Sequence, residues 1–170
     1  MKKAFLMSFA LLVASAGYGQ AYAQDSQEVR WRRIAGVITA VNVDNPVGKV
    51  NAGTFPWTAR GGSARVNLST GAASFDVDGL VIDGTMFSGT PGPITAVTGT
   101  LVCNAGAQNE STHDTAPVPL GATGNADFSG QIAGIQLPCA NPLFLIRIAQ
   151  PAGAAGRWIA TGAERTGGAQ

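Results

Sequence analysis

The chain predicts an all-β, single-domain antiparallel β-sandwich, immunoglobulin-like or jelly-roll-like, with 8–9 strands after an N-terminal signal peptide. Three observations predict it. Helical periodicity is nearly absent beyond residue 23. Turn signals built on Gly, Pro, Asn and Asp recur about every 8–12 residues, the spacing of short strands in sandwiches and barrels. Two cysteines, Cys103 and Cys139, lie in the same region and predict one clamp across the core.

The N-terminal element has the three parts of a secretory signal. Lys2 and Lys3 supply positive charge, Ala4 to Ala16 form an apolar run, and Ala21 and Ala23 put small residues before a cleavage point at Gln24. The apolar run of about 13 residues is shorter than the ~20 needed to cross a bilayer, so no membrane span is expected after cleavage. The Lys-Lys start and short apolar run are of bacterial type. Removing residues 1–23 leaves 147 residues, with nine basic and ten acidic side chains. That length suits one domain with its own core. The expected organisation is a flank at 24–30, the sandwich at 31–162 and a flexible tail at 163–170.

The strands are justified in chain order. Ile34 to Val43 is rich in β-branched residues and ends at Asp44-Asn45-Pro46. Val47 to Gly53 reads as a loop or short edge. Thr54 to Arg60 is a second run, placed at an edge or bulge by Pro56, which donates no ladder bond. Ala64 to Leu68 and Ala73 to Val77 form a hairpin. Turning at Thr70-Gly71 would set Val66 against Phe75 on an apolar face and Arg65 against Asp76 on a polar one. Leu80 to Ile82 continues inward, and Asp83-Gly84 turns the chain. Ile94 to Cys103 alternates, with Val97, Leu101 and Cys103 on one face. Ala105 to Thr115 is the most polar stretch and reads as an exposed loop. Pro117 to Leu120 is a short extended piece, and Ala126, Phe128, Gly130 and Ile132 share a face of the next strand. Leu143 to Ile148, apolar on both faces except for Arg147, predicts a central strand covered on both sides. Arg157 to Thr161 is the last strand.

Composition narrows the function. Charged residues are 12% of the chain, about half the usual share, while 45% are hydrophobic. A disordered chain lacks that apolar content. A formal charge of +1 with no Lys/Arg stripe in the sequence argues against nucleic acid, whose phosphates need clustered cations. Cys103 and Cys139, in an exported chain, predict a disulfide closing a 36-residue separation. The chain-entropy estimate for such a link is roughly 3.8 kcal/mol.

Few residues are candidates for chemistry. His113-Asp114 has the types for a metal ligand or an oriented general base. Asp76, Asp78 and Asp83 are close enough in sequence to suggest calcium, although the spacing is not that of an EF-hand. Paired carboxylates also suit glycoside hydrolysis. Trp31-Arg32-Arg33 suits a partner contact or the soluble flank of a first strand, and Trp57 and Trp158 are candidates for a sugar platform or for the core. No cofactor is implied, since the sequence carries neither a phosphate-binding glycine loop nor a metal-spacing motif. The expected role is therefore binding or structural and non-enzymatic, in the periplasm or outside the cell, with a protein or glycan of the cell envelope as partner. One alternative is a small exported hydrolase or metal-binding protein using His113 or the Asp76/Asp78 pair. Another is a surface-assembly subunit, because the Gly/Ala/Thr-rich, charge-poor composition with one Cys pair is similar to that of secreted β-sandwich subunits of bacterial surface structures.

Overall fold

The computed structural model describes residues 27–39 and 43–167. The signal-peptide segment lies outside them. The described chain is antiparallel β with no α-helix, and its strands are β1 (Glu28–Gly36), β2 (Trp57–Thr58), β3 (Gly61–Asn67), β4 (Ala72–Asp78), β5 (Val81–Ile82), β6 (Ala96–Cys103), β7 (Ser111–Asp114), β8 (Val118–Pro119), β9 (Ala126–Gln131), β10 (Leu143–Ala149) and β11 (Ala155–Gly167). Eight of them form one continuous sheet in the order β7-β6-β10-β11-β1-β3-β4-β9, with β8 also paired to β6, and β2 and β5 make a separate two-stranded ribbon.

The expected pair of stacked sheets is thus corrected to one sheet curled around its core. β1 is the reason. It pairs with β3 on one side (Arg30 opposite Arg65, Trp31 opposite Ala64) and with β11 on the other (Trp31 opposite Arg165, Ile34 opposite Gly162), so it joins what would otherwise be two sheets. The curl brings β4 against β6 and β10. The ring centroids of Phe75 and Phe144 are 5.7 Å apart, those of Trp31 and Phe144 5.5 Å, and those of Phe75 and Phe128 5.8 Å. These rings, with Val29, Val66, Leu101 and Ile146, fill the curl, and such ring pairs add roughly 0.5–1.5 kcal/mol each beyond the area they bury.

β1 is offset from the predicted Ile34 to Val43 run. Its inward residues are Val29, Trp31 and Ile34, with the exposed Arg32 and Arg33 between the last two. That break in alternation sits opposite Glu164, which has φ +55°. Both strands change phase there together, and inward packing resumes with Ile34 and Gly162. Gly162 must be small, because a Cβ there would lie 2.6 Å from the Trp31 ring.

The β3–β4 hairpin keeps its predicted faces but not its register. Val66 lies opposite Ala73, Ala64 opposite Phe75 and Arg65 opposite Ser74. The cause is the turn. Asn67 Oδ1 accepts hydrogen bonds from the Ser69 and Thr70 backbone N–H groups, Gly71 N–H donates to the Asn67 carbonyl, and Gly71 takes φ +75°. This side-chain turn widens the loop and moves the pairing by two residues, which leaves every side chain on its original face.

Other boundaries also differ. β7 occupies part of the predicted exposed loop, because β6 has a free edge for Ser111–Asp114 to pair with. Of the expected tail at 163–170, residues 163–167 are the end of β11, paired with β1 as far as Gly167, and the rest lies outside the described residues. β10 takes the expected central place between β6 and β11, with Leu145 and Ile146 fully buried.

Thr98, Thr100, Val102 and Leu145 point out of the curl yet are fully buried. A strap formed by residues 43–53 accounts for this. At one end Ala52 bridges Trp158, whose N–H donates to the Asn51 carbonyl while Gly53 N–H donates back to the Trp158 carbonyl. The segment doubles back through a Val47–Val50 bridge, its other leg returning to Trp158, whose ring N–H donates to the Asn45 carbonyl at 3.0 Å, and at the tip between the legs Lys49 N–H donates to Glu110, just before β7, at 2.7 Å. The base at β11 and the tip beside β7 stand on either side of β6 and β10 in the sheet order, and Val50 in the hairpin is buried. The Cys103–Cys139 disulfide is formed, with a Cα–Cα distance of 4.8 Å, and both residues are buried.

Candidate functional site

The outward positions of β1, β3 and β4 carry a cluster of charged and hydroxyl side chains. Antiparallel register places Thr166, Arg30, Arg65, Ser74 and Ser129 in one row across five strands. Arg32 is the next outward position on β1, while Ser63, Asp76 and Asp127 are successive partners across β3, β4 and β9. The twist of these strands shapes the surface into an open trough of about 710 Å³. A smaller extension of about 220 Å³ shares Glu28, Arg65 and Ser74 and runs towards β9.

The side chains lining the trough are partly paired. Arg30 forms an ion pair with Glu28. Arg65 Nε donates to Ser74 Oγ at 2.8 Å, and Ser63 Oγ donates to Asp76 Oδ1 at 2.5 Å. The expected Arg65–Asp76 contact is therefore replaced by two hydroxyl contacts, as the shifted register requires. Arg32 has no hydrogen bond or ion pair among the described residues, whereas its neighbour Arg33 lies 3.8 Å from Glu164. Trp31 contributes no ring face to the trough, being 1% exposed.

His113 and Asp114 are brought apart. They are adjacent on β7, so they face opposite sides of the sheet. The His113 ring nitrogen Nε2 lies 2.9 Å from Ser111 Oγ, on the side of Leu101 and Cys103. Asp114 faces outward, accepts from Thr100 Oγ1 at 2.6 Å, and lies 3.5 Å from Arg147 Nη1. Burial lowers the Arg147 pKa, and the Asp114 carboxylate acts in the opposite direction. Arg147 also donates to the Gly156 and Ala155 carbonyls of β11, beside the irregular stretch of the β10–β11 pairing. This cluster therefore holds two strands together.

The three aspartates are also separated. Asp76 and Asp78 share the outward face of β4, as alternation predicts, but only Asp76 lines the trough. Asp83 caps its own turn, accepting from Gly84 N–H at 2.8 Å and from Ser88 Oγ at 3.3 Å. Among the described residues no three His, Cys, Asp or Glu side chains gather in a way that could hold a metal ion. The two trough carboxylates, Glu28 and Asp76, stand two strands and four register positions apart. At ~4.8 Å per strand and ~3.4 Å per residue, that is roughly 17 Å between backbones. The carboxylate nearest to Asp76 by register is Asp127, directly opposite on β9 and outside the trough lining.

Trp57 and Trp158 belong to the core, at 2% and 5% exposure, which removes them as a sugar platform. Exposed apolar side chains instead flank the β2–β5 ribbon, with Met86 91% and Phe55 40% exposed. Arg30, Ser63 and Thr166 escaped the sequence reading, which put Ser74 on the polar face of the hairpin but opposite Asn67. The alternation Val29-Arg30-Trp31-Arg32 was the available signal for a strand with arginines on one face. Comparison with protein-family models, with curated proteins and with solved structures finds no match.

Proposed function

We propose that the protein is an exported, non-enzymatic binding protein of the cell envelope, whose partner docks in the trough over β1, β3 and β4. The observation that carries this reading is the convergence of Arg30, Arg32 and Arg65 with hydroxyls and two well-separated carboxylates in one concave, open surface. Guanidinium forks and hydroxyls are recognition groups, while His113 and Asp114 face opposite sides of a different strand. The signal-type sequence at residues 1–23 and the Cys103–Cys139 disulfide support an oxidising, exported setting, periplasmic or extracellular. Among the described residues no helix is long and apolar enough to cross a membrane.

Isolated envelopes from cells lacking the protein provide the test. Purified protein is expected to be retained by them, and the Arg32→Gln/Arg65→Gln double variant about tenfold less so, as the loss of charge-assisted contacts implies. Asp83→Asn, outside the trough, serves as the control and should behave as the unaltered protein does. Equal retention of the double variant and the unaltered protein would overturn the reading. N-terminal sequencing of exported material tests the signal, with Gln24 expected first.

A further inference from the structure

We propose that the trough over β1, β3 and β4 takes an acidic saccharide, a chain carrying carboxylate groups among free hydroxyls. This deepens the binding reading above and rests on it. The first observation is a cost that the trough's own side chains compensate only in part. Arg30 and Arg65 are directly opposite on neighbouring strands, and like charges so placed destabilise a sheet. Glu28 pairs with Arg30 alone, Arg65 has only the Ser74 hydroxyl, and Arg32 has no partner among the described residues. Three guanidinium groups on one outward surface add nothing to the core, and their planar forks match carboxylates.

The second observation selects among anions. Glu28 and Asp76 also line the trough, and ionised carboxylates only accept hydrogen bonds. A ligand made of anionic groups alone would confront them with like charge. A ligand that mixes carboxylates with O–H donors satisfies the arginines and the acids together, and the Ser63, Ser74 and Thr166 hydroxyls serve either kind of contact. The third observation is what the trough lacks. Trp31 underlies it without offering a ring face, so a neutral sugar finds no stacking surface there. A volume of about 710 Å³ lies within the range of small-molecule sites.

Calorimetric titration of the purified protein with a galacturonic acid trimer, a galactose trimer and inorganic sulfate tests the proposal. The acidic trimer is expected to bind, more weakly as salt rises. Arg65→Gln and Arg32→Gln should each weaken it about tenfold, and Asp83→Asn should leave it unchanged. The melting temperature of Arg65→Gln should be no lower than that of the unaltered protein, because the substitution relieves the Arg30–Arg65 repulsion. Equal binding of the neutral trimer, sulfate binding as tight as that of the acidic trimer, or an acidic-trimer affinity indifferent to Arg65 would each overturn the saccharide inference. If the acidic trimer does not bind while envelope retention still depends on Arg32 and Arg65, the inference falls and the binding reading stands. If retention ignores both arginines, the binding reading falls as well.

Discussion

Gly99 shows how closely single positions are fitted. β6 passes the aromatic cluster at this residue, and a Cβ would lie 2.7 Å from Phe144 Cζ and 2.8 Å from Phe75 Cε1. Both rings are buried and packed on each other, so neither yields cheaply. Gly99→Ala is expected to cost ~1–3 kcal/mol, the usual range for overpacking. Chemical denaturation would show it as a lower midpoint with an unchanged slope, and a midpoint equal to that of the unaltered protein would place the rings elsewhere. A glycine inside the alternating Ile94 to Cys103 run already signals close approach. What approaches it was not legible, since Phe75 and Phe144 reach Gly99 only through the curl of the whole sheet. The same limit applied to the site. Asp76 and Arg65 were singled out from sequence, but their partners, Ser63 and Ser74, depend on a register that alternation alone leaves free by two residues.

Among the elements, those with strong apolar patterning were legible and those held by single contacts were not. β10 was readable because Leu143 to Ile148 is apolar on both faces, as a strand covered on both sides demands. β1 was displaced because its arginines resemble a solvated flank, and β7 was missed because Ser111–Asp114 is polar and owes its conformation to the edge of β6. The strap had no periodic signal at all. Its far anchor is the Glu110 carboxylate, which accepts from Lys49 N–H at 2.7 Å and from Gly106 N–H at 2.6 Å. Glu110→Ala removes both acceptors and is expected to cost ~1–3 kcal/mol, since bonds to charged groups are at the strong end. Hydrogen exchange should accelerate at residues 47–50 and stay slow in β3 and β4. Unchanged protection in the strap would mean that Val50 burial alone secures it.

At the scale of the molecule, the all-β class followed from composition and turn spacing, whereas the choice between two stacked sheets and one curled sheet did not. That choice rests on whether β1 pairs on both sides, a long-range fact that no local pattern encodes. The disulfide was legible from the cysteine count. It ties the end of β6 to the segment before β10, where Asn104 Oδ1 also accepts from Ala140 N–H at 3.0 Å. Reduction should lower the melting temperature, and Cys103→Ser should do so to a similar extent, in line with roughly 3–4 kcal/mol for a loop of this length. An unchanged melting temperature under reductant would show that the link does not constrain the unfolded chain.

Both the curl and the trough depend on β1 lying between β3 and β11, so interstrand backbone nuclear Overhauser contacts from β1 are the most direct measurement. Arg30 is expected to show contacts to Arg65 on one side and to Thr166 on the other. Contacts to only one of these strands would mean two separate sheets, no continuous row from Thr166 through Arg30 and Arg65, and no trough of the kind described.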